Sequence, residues 1–458
     1  MSRTQRTLVI LGASGDLTAR LLLPGLGQFL ASRTGLDLQL IGVGGEEMTD
    51  AAWRRRVTAS FKAGGVDPAN LSGVVKQSNY LHADATDPEA LQKVLDSAKY
   101  PPAIYFALPP AVTELVCASL QKVKLPAGTL LALEKPFGTD LKSAVKLNRL
   151  LTTLVPERQI HRIDHFLGKS TVLNLLGLRF ANRIFEESWN ATNIERVDIS
   201  YDETLGLEGR AGYYDHAGAL VDMIQSHLLQ VLAVVAMEPP STVHADDLRG
   251  AMAQVLRATH VWQNKPKEWS RRARYTAGTI DRRALGAYAK EPGVDPARQT
   301  ETLAEITFAV DNWRWAGVPF TLRSGKALDG VNKGIAITFK AVPHLPTGLV
   351  GPPEPSQLRI ALDPDLVELD VNMNGAGDPF VLDTARLSSS FGPGALGAYG
   401  EVIEGIIDSD PTLSVRGDVA EECWRIVGPV LAAWRKDAVP LENYRAGSHG
   451  PSSWKQRP

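Results

Sequence analysis

The chain has 458 residues, a formal net charge of -2, 44% hydrophobic residues and two cysteines. That length exceeds one ordinary core and predicts two domains, while the near-neutral balance argues against a nucleic-acid or membrane partner held by bulk charge. Neither Cys117 nor Cys423 has a metal-ligand spacing, no apolar run reaches transmembrane length, and MSRTQRTLVIL lacks a signal-peptide pattern, so a metal-free cytoplasmic enzyme is expected.

The first predicted strand is TLVIL, Thr7 to Leu11, a nearly continuous apolar run of the kind buried on both faces of a sheet. GASGDLTARLLLPGL follows. Gly12 and Gly15 permit a tight turn, and a helix is predicted from about Asp16. A helix start after a buried strand is a ready anion site, because free N–H groups point outward and the dipole favours negative charge. Gly-x-x-Gly alone suits a plain turn as well as a nucleotide. Candidate cofactor contacts here are Gly12, Ser14, Gly15, Asp16 and Leu17.

LQLIGV (Leu38 to Val43), AIYFAL (Ala103 to Leu108) and TLLALEK (Thr129 to Lys135) are further apolar runs, with helix-length segments Asp87 to Ser97 and Ala111 to Lys122 between them. Strands alternating with helices predict a parallel, doubly wound, Rossmann-like sheet. Ligands of such sheets bind beyond the carboxyl ends of the strands, which puts Pro109, Glu134 and Lys135 on the ligand side. The expected domains are residues 1–165, binding dinucleotide, and 166–458, an α+β domain.

HRIDHFLGKS crowds Arg162, Asp164, His165 and Lys169 ahead of the apolar TVLNLLGLRF. With a helix starting near Gly168, His165 and Lys169 sit at its N-terminal end, where a phosphate would meet side-chain donors and free amides. A capped helix with a solvated lysine is the other reading. Ala217 to Met237 reads as a long apolar helix interrupted by Asp222, Gln225, Ser226 and His227, with Glu208 upstream. A lone histidine in such a helix is usually a satisfied core residue. Asp222 and His227 are five positions apart, about 140° around an α-helix, so they cannot share a narrow stripe. ETLAEITFAV, NKGIAITFK and QLRIALD alternate apolar and polar as antiparallel strands do. The aromatics of DNWRWAGVPFTLRSGKAL, which reaches Lys326, are expected to pack in the core or on the sheet.

Taken together, GASGDLTARLLLPGL, EKPFG, RIDHFLGK with NLLGLRFAN, EGRAGYYD, SHLLQ, DNWRWAGVPF and DVAEECWRIVGPVLAAW resemble the glucose-6-phosphate dehydrogenase family over nearly the whole chain. The resemblance implies oxidation of the C1 hydroxyl of D-glucose 6-phosphate to a lactone, the first step of the oxidative pentose phosphate pathway, with hydride passing to NADP or NAD. It implies that His227 is the general base, a task that imidazole suits near pH 7. Asp164 would orient and stabilise it. Phosphate falls to His165 and Lys169, and sugar hydroxyls to Lys135, Glu208, Asp222 and Lys326. A cis Lys135–Pro136 bond and homodimers or homotetramers built through the second domain's sheet are also implied.

Three positions depart from the family pattern. Phe166 replaces a Tyr, Ser170 replaces a Glu, and Val331 replaces a basic residue that helps to hold phosphate, with Lys333 nearby. These leave open a paralogue acting on another sugar or sugar phosphate; the third reading is a non-catalytic nucleotide-binding regulator. The family's usual NADP-reading Arg is replaced by Gly45, followed by Glu46 and Glu47. Carboxylates there accept from a ribose 2′-hydroxyl and repel a 2′-phosphate, so NAD is expected to serve at least as well as NADP. Arg54 to Arg56 would reverse this only if turned inward; a solvated basic face is the expectation.

Overall fold

Strand β1 (Thr4–Leu11) buries its last five residues. Leu8 and Ile10 point to one face of the sheet and Val9 and Leu11 to the other, which is why the run reads as continuously apolar. The computed structural model describes residues 4–209, 211–330, 332–351, 354–390, 392 and 394–454. Two compact units share them.

In the first unit, β1 is joined by β2 (Leu36–Gly44), β3 (Asn79–His82), β4 (Pro102–Phe106), β5 (Leu130–Glu134) and β6 (Ile160–Ile163). All six are parallel, in the order β6-β5-β4-β1-β2-β3, with the short antiparallel strand Ser414–Val415 beyond β6. This is the expected doubly wound sheet. Helices Leu23–Ser32 and Asp50–Ala63 cover one face, around Phe29, Trp53 and Phe61; helices Pro88–Asp96, Pro110–Leu120 and Leu141–Leu154 cover the other, around Leu95, Val116 and Leu151. The short strands β3 and β6 are the ones that apolar runs did not reveal. In β6 the alternation is masked by a fully buried Arg162, which donates to Asn148 at 3.0 Å and to Glu157 at 2.7 Å.

The boundary differs from a single cut after residue 165. The first unit continues to Ser170 and takes back residues 240–251 and 393–421. Helix Ala398–Asp408 explains the return, since Val402, Ile403, Ile406 and Ile407 complete the core beneath β1.

The second unit is built on a ten-stranded sheet. Its main order is Leu382–Ser390, Asp365–Asn374, Gln357–Leu362, Lys333–Phe339, Ile194–Asp202, Phe320–Gly325, Leu303–Val310, Ser270–Thr276 and Leu441–Arg445, with Thr259–Val261 also paired to Leu303–Val310. Most neighbours are antiparallel, as expected. Phe320–Gly325 is parallel to Ile194–Asp202, however, and Leu441–Arg445 is parallel to Ser270–Thr276.

The helical stretch Ala211–Ala236 is long and apolar enough to cross a membrane by length and composition, contrary to the sequence expectation, but 89% of its apolar window is buried. It is a core helix. Its last carbonyls are taken by buried tryptophans: Trp189 Nε1 donates to Val235 at 2.8 Å and Trp315 Nε1 to Ala236 at 2.8 Å. The expectation that both aromatics of DNWRW pack inside holds for Trp315 only; Trp313 is 100% exposed.

Candidate active site

Directly after β1 the chain turns. Gly12 has φ +85°, and a Cβ there would stand 2.1 Å from the carbonyl oxygen of Ala107, so only glycine lets the turn lie against the end of β4. Gly12 and Ala13 both donate to the Val43 carbonyl, at 2.9 and 3.0 Å, and Thr18 Oγ1 donates to the Gly12 carbonyl at 3.1 Å. Helical backbone begins at Asp16, so Asp16 and Leu17 bring the unpaired amides of a helix start. Gly15 and Asp16 are exposed, Ser14 is half-buried, and Asp16 pairs loosely with Arg20 at 3.7 Å.

The strand order reverses between β1 and β4, with Gly12 at one lip of that crevice and Pro109, the residue before helix Pro110–Leu120, at the other. A buried strand, a glycine turn and an open helix start at a switch point fit the pyrophosphate of a dinucleotide.

Beyond β2, Gly45, Glu46 and Glu47 are exposed, and nothing lies within 4 Å of where a Gly45 Cβ would stand. The Gly45 carbonyl accepts from His82 Nε2 at 3.0 Å and the Glu46 carbonyl from the Tyr80 hydroxyl at 2.8 Å. The three arginines are not one solvated face. Arg55 is exposed, but Arg54 Nε donates to the Ser78 carbonyl at 2.9 Å, and Arg56 Nη2 donates to the carbonyls of Ser14 and Gly15 at 2.5 and 2.8 Å. Arg56 therefore braces the glycine turn, a role its sequence neighbourhood does not reveal.

At the end of β5 stand Glu134 and Lys135, and the Lys135–Pro136 bond is cis. Burial pushes the Glu134 carboxyl up, opposed by the hydroxyls of Tyr105 and Tyr399, which donate to its Oε1 at 2.5 and 3.3 Å. β6 delivers Asp164, which is buried and accepts the Phe166 N–H on Oδ1 at 2.9 Å. That Asx turn is extended by Leu167 N–H to the Asp164 carbonyl and Lys169 N–H to the Phe166 carbonyl, both at 3.1 Å.

The helix begins at Ser170, not near Gly168. Lys169 is thus the residue before it, and His165 belongs to a turn. The turn lies close against the start of helix Ala398–Asp408: a Cβ on Gly168 would stand 2.9 Å from the Ala398 carbonyl. Tyr399 stacks on His165, with ring centroids 5.8 Å apart at 17°. Phe166 is buried, its ring 5.2 Å from His165, and Lys169 Nζ lies 5.0 Å from its centroid. A phenyl ring here offers the lysine a cation–π face in place of a hydroxyl donor.

In the second unit, Gly218 breaks the core helix at φ 66° and ψ 177°, and the turns Leu220–Leu228 are π-wound. Ser226 Oγ donates to the Val221 carbonyl at 2.8 Å and the Leu229 N–H reaches the Ile224 carbonyl, both five residues back. This corrects the 140° separation expected for an α-helix. In an i→i+5 helix, residues five apart stand one above the other, so Asp222 and His227 share a face. Both are buried, with His227 1% exposed.

Lys326 ends just past strand Phe320–Gly325, buried, with Nζ 2.5 Å from Glu203 Oε2 and 5.2 Å from the Tyr214 ring. Burial first, then the charges of Asp222, Glu301 and Glu203 among others, push the Tyr214 hydroxyl well above its ordinary range. Glu208 is exposed and pairs with Arg283 at 2.9 Å. Lys333 is engaged on the sheet by Asp363 at 3.0 Å, and Val331 lies outside the described residues.

Glu203 and Tyr399 are not expected from the sequence, and Arg56 enters there only as a conditional cofactor contact, not as a brace of the glycine turn. Glu203 had a signal in its closeness to Glu208; Tyr399 had none, because packing brings it to its place.

Residues 9–174 match the family described as Glucose-6-phosphate dehydrogenase, NAD binding domain, and residues 176–457 match Glucose-6-phosphate dehydrogenase, C-terminal domain. The chain is 36% identical over 480 residues to the glucose-6-phosphate 1-dehydrogenase of Treponema pallidum, covering 97% of this chain and 92% of that protein. It is 37% identical over 468 residues to that of Gluconobacter oxydans, covering 98% and 95%. A solved glucose-6-phosphate dehydrogenase in complex with its substrate glucose-6-phosphate superimposes with a TM-score of 0.87 at 27% identity, covering 98% of this chain and 96% of that one. The Mycobacterium avium glucose-6-phosphate 1-dehydrogenase gives 0.85 at 34% identity, covering 98% and 99%. This chain, an oxidoreductase with a nicotinamide-cofactor domain, belongs to the glucose-6-phosphate dehydrogenase family.

Proposed function

We propose that the chain oxidises D-glucose 6-phosphate at C1 to 6-phosphogluconolactone, and that His227 takes the C1 hydroxyl proton. The observation that carries this reading is the placement of Asp222 and His227 on one face of the π-wound turns of a buried, mostly apolar helix. Core packing gives no reason for two such groups there. The nicotinamide, when bound, accepts the hydride that leaves C1. Asp164 acts as the carboxylate that stabilises the imidazolium, which a buried, hydrogen-bonded side chain is suited to do. His165 and Lys169 bind phosphate from the turn after β6. Lys135, Asp222, Glu208 and Lys326 serve the sugar hydroxyls, Lys326 being oriented by Glu203.

For the cofactor we infer that NAD serves at least as well as NADP. Gly45 contributes no side chain and Glu46 and Glu47 are exposed beside it; Arg56, which does turn inward onto the Ser14 and Gly15 carbonyls, is the feature here that speaks for NADP. A homo-oligomer formed through the large sheet is supported by the exposed Met373, Phe380 and Leu387 on and between its outer strands. A cytoplasmic setting accords with the two buried cysteines.

A second reading, oxidation of a different sugar or sugar phosphate, is favoured by Phe166 and by the engagement of Lys333 with Asp363. One experiment separates these. Steady-state kcat/KM is measured for glucose 6-phosphate, galactose 6-phosphate and glucose, each with NAD and NADP. Highest efficiency with glucose 6-phosphate, and an NAD efficiency at or above that with NADP, is expected. A better rival sugar overturns the substrate assignment, and a tenfold preference for NADP overturns the cofactor assignment.

A further inference from the structure

Among the described residues, one buried carboxylate touches the helix of the proposed base without having any part in the chemistry. Glu301 is 7% exposed and lies just ahead of strand Leu303–Val310. Its Oε1 accepts the N–H of Leu220 at 3.0 Å, and its backbone carbonyl accepts the N–H of Ala219 at 3.3 Å. These are amides at the start of the π-wound turns that carry Asp222 and His227. A helix start leaves such amides without intrahelical partners, and a buried one needs an acceptor.

The fit is close. Gly218 sits in the left-handed region, and a Cβ on it would stand 2.3 Å from Glu301 Oε1. The break at Gly218 is therefore what lets the carboxylate reach the helix end. The segment around Glu301 is itself fixed on both sides. Thr300 Oγ1 donates to the Asp215 carbonyl at 2.6 Å, and the Thr302 hydroxyl meets the Tyr444 hydroxyl at 2.8 Å, while Tyr444 also donates to the Lys326 carbonyl at 2.6 Å. One short run thus ties the helix of His227 to the strand end that carries Lys326.

We propose that Glu301 is a positioning residue for the reaction: as an acceptor for the Leu220 N–H, it fixes the start of the helix and with it the placement of Asp222 and His227. This rests on His227 being the general base. What the position requires is an acceptor at the reach of a glutamate side chain, and charge is secondary. Burial pushes the Glu301 carboxyl up to about 7, so the group is near half-neutral at neutral pH and still accepts the bond.

Two substitutions separate reach from charge. Glu301→Gln keeps the reach and removes the charge; Glu301→Asp keeps the charge and withdraws the acceptor by one methylene. The full chain is assayed with glucose 6-phosphate and its preferred cofactor, with near-ultraviolet circular dichroism reporting packing. The Gln variant is expected to keep kcat within about threefold of wild type, and the Asp variant to lose roughly tenfold or more in kcat with KM little changed. Loss in the Gln variant overturns the proposal even if the Asp variant fails to fold. Retention in both, or the reverse order, also overturns it. His227→Asn run alongside keeps the two ideas apart: near-normal kcat in that variant removes the base assignment, whereas its loss together with a fully active Asp variant removes only the role of Glu301.

Discussion

The two units present their polar groups by different means. In the first, candidate residues stand just past strand ends: Gly12 after β1, Gly45 after β2, Pro109 after β4, Glu134 and Lys135 at β5, Asp164 after β6. A parallel sheet gathers all its carboxyl ends along one edge, so short loops suffice to make a site there. In the second unit, neighbouring strands mostly run opposite ways, and their ends alternate between edges. The candidate residues there sit on a buried helix, rewound so that Asp222 and His227 align, and on the segments that brace it. Loops after strands can vary with little effect on a core. Two polar groups inside a core helix have to be supported by their surroundings.

The sharpest way to break this contrast is His227→Asn. A positioned general base is worth about 10²–10⁴-fold in rate, so kcat should fall by that order with substrate KM little altered. Unaltered kcat would mean that the helix is merely structural and that the chemistry belongs to the strand-end loops alone. Lys169→Ala probes the loop side. Losing one charge-assisted bond of about 1.5–3 kcal/mol should raise KM for glucose 6-phosphate roughly tenfold or more, while cofactor binding, followed by fluorescence titration, stays intact. An unchanged KM would take the phosphate away from the turn after β6.

A smaller effect sharpens the comparison through one carboxylate in each unit whose pKa burial raises. Burial raises Glu301 from 4.5 to about 7. A group whose folded pKa lies above its unfolded value favours folding while protonated, so its contribution is full below about 4.5 and is lost as pH rises through about 7. Tyr214 and Tyr288, whose hydroxyls are pushed up by burial first and in part by the Glu301 charge, keep their protons across that interval. Between pH 5 and pH 8, wild type should lose on the order of 2 kcal/mol of stability relative to Glu301→Gln, read from urea midpoints. Burial also raises Glu134, opposed by the hydroxyls of Tyr105 and Tyr399 that donate to it, so Glu134→Gln should show a change of the same sign. Equal slopes for wild type and Glu301→Gln would show that Glu301 is not held neutral by burial.

By itself the sequence determined the doubly wound first sheet, because strands buried on both faces must be apolar throughout and leave long runs. It also determined the glycine turn, the cis Lys135–Pro136 bond through the family likeness, and the strands around Leu303–Val310 and Lys333–Phe339. Tertiary structure decided the rest. β6 was hidden, since its buried Arg162 is ion-paired with Glu157 and hydrogen-bonded to Asn148 inside the fold. Helix Ala398–Asp408 returned to the first unit, because its apolar face finds its partner only in the folded core. Tyr399 reached His165 and Arg56 reached the glycine turn by that same packing. The alignment of Asp222 with His227 was beyond any periodicity argument. An α-helix and a π-helix differ by one residue per hydrogen-bonded turn, a difference that the apolar spacing along this stretch does not register.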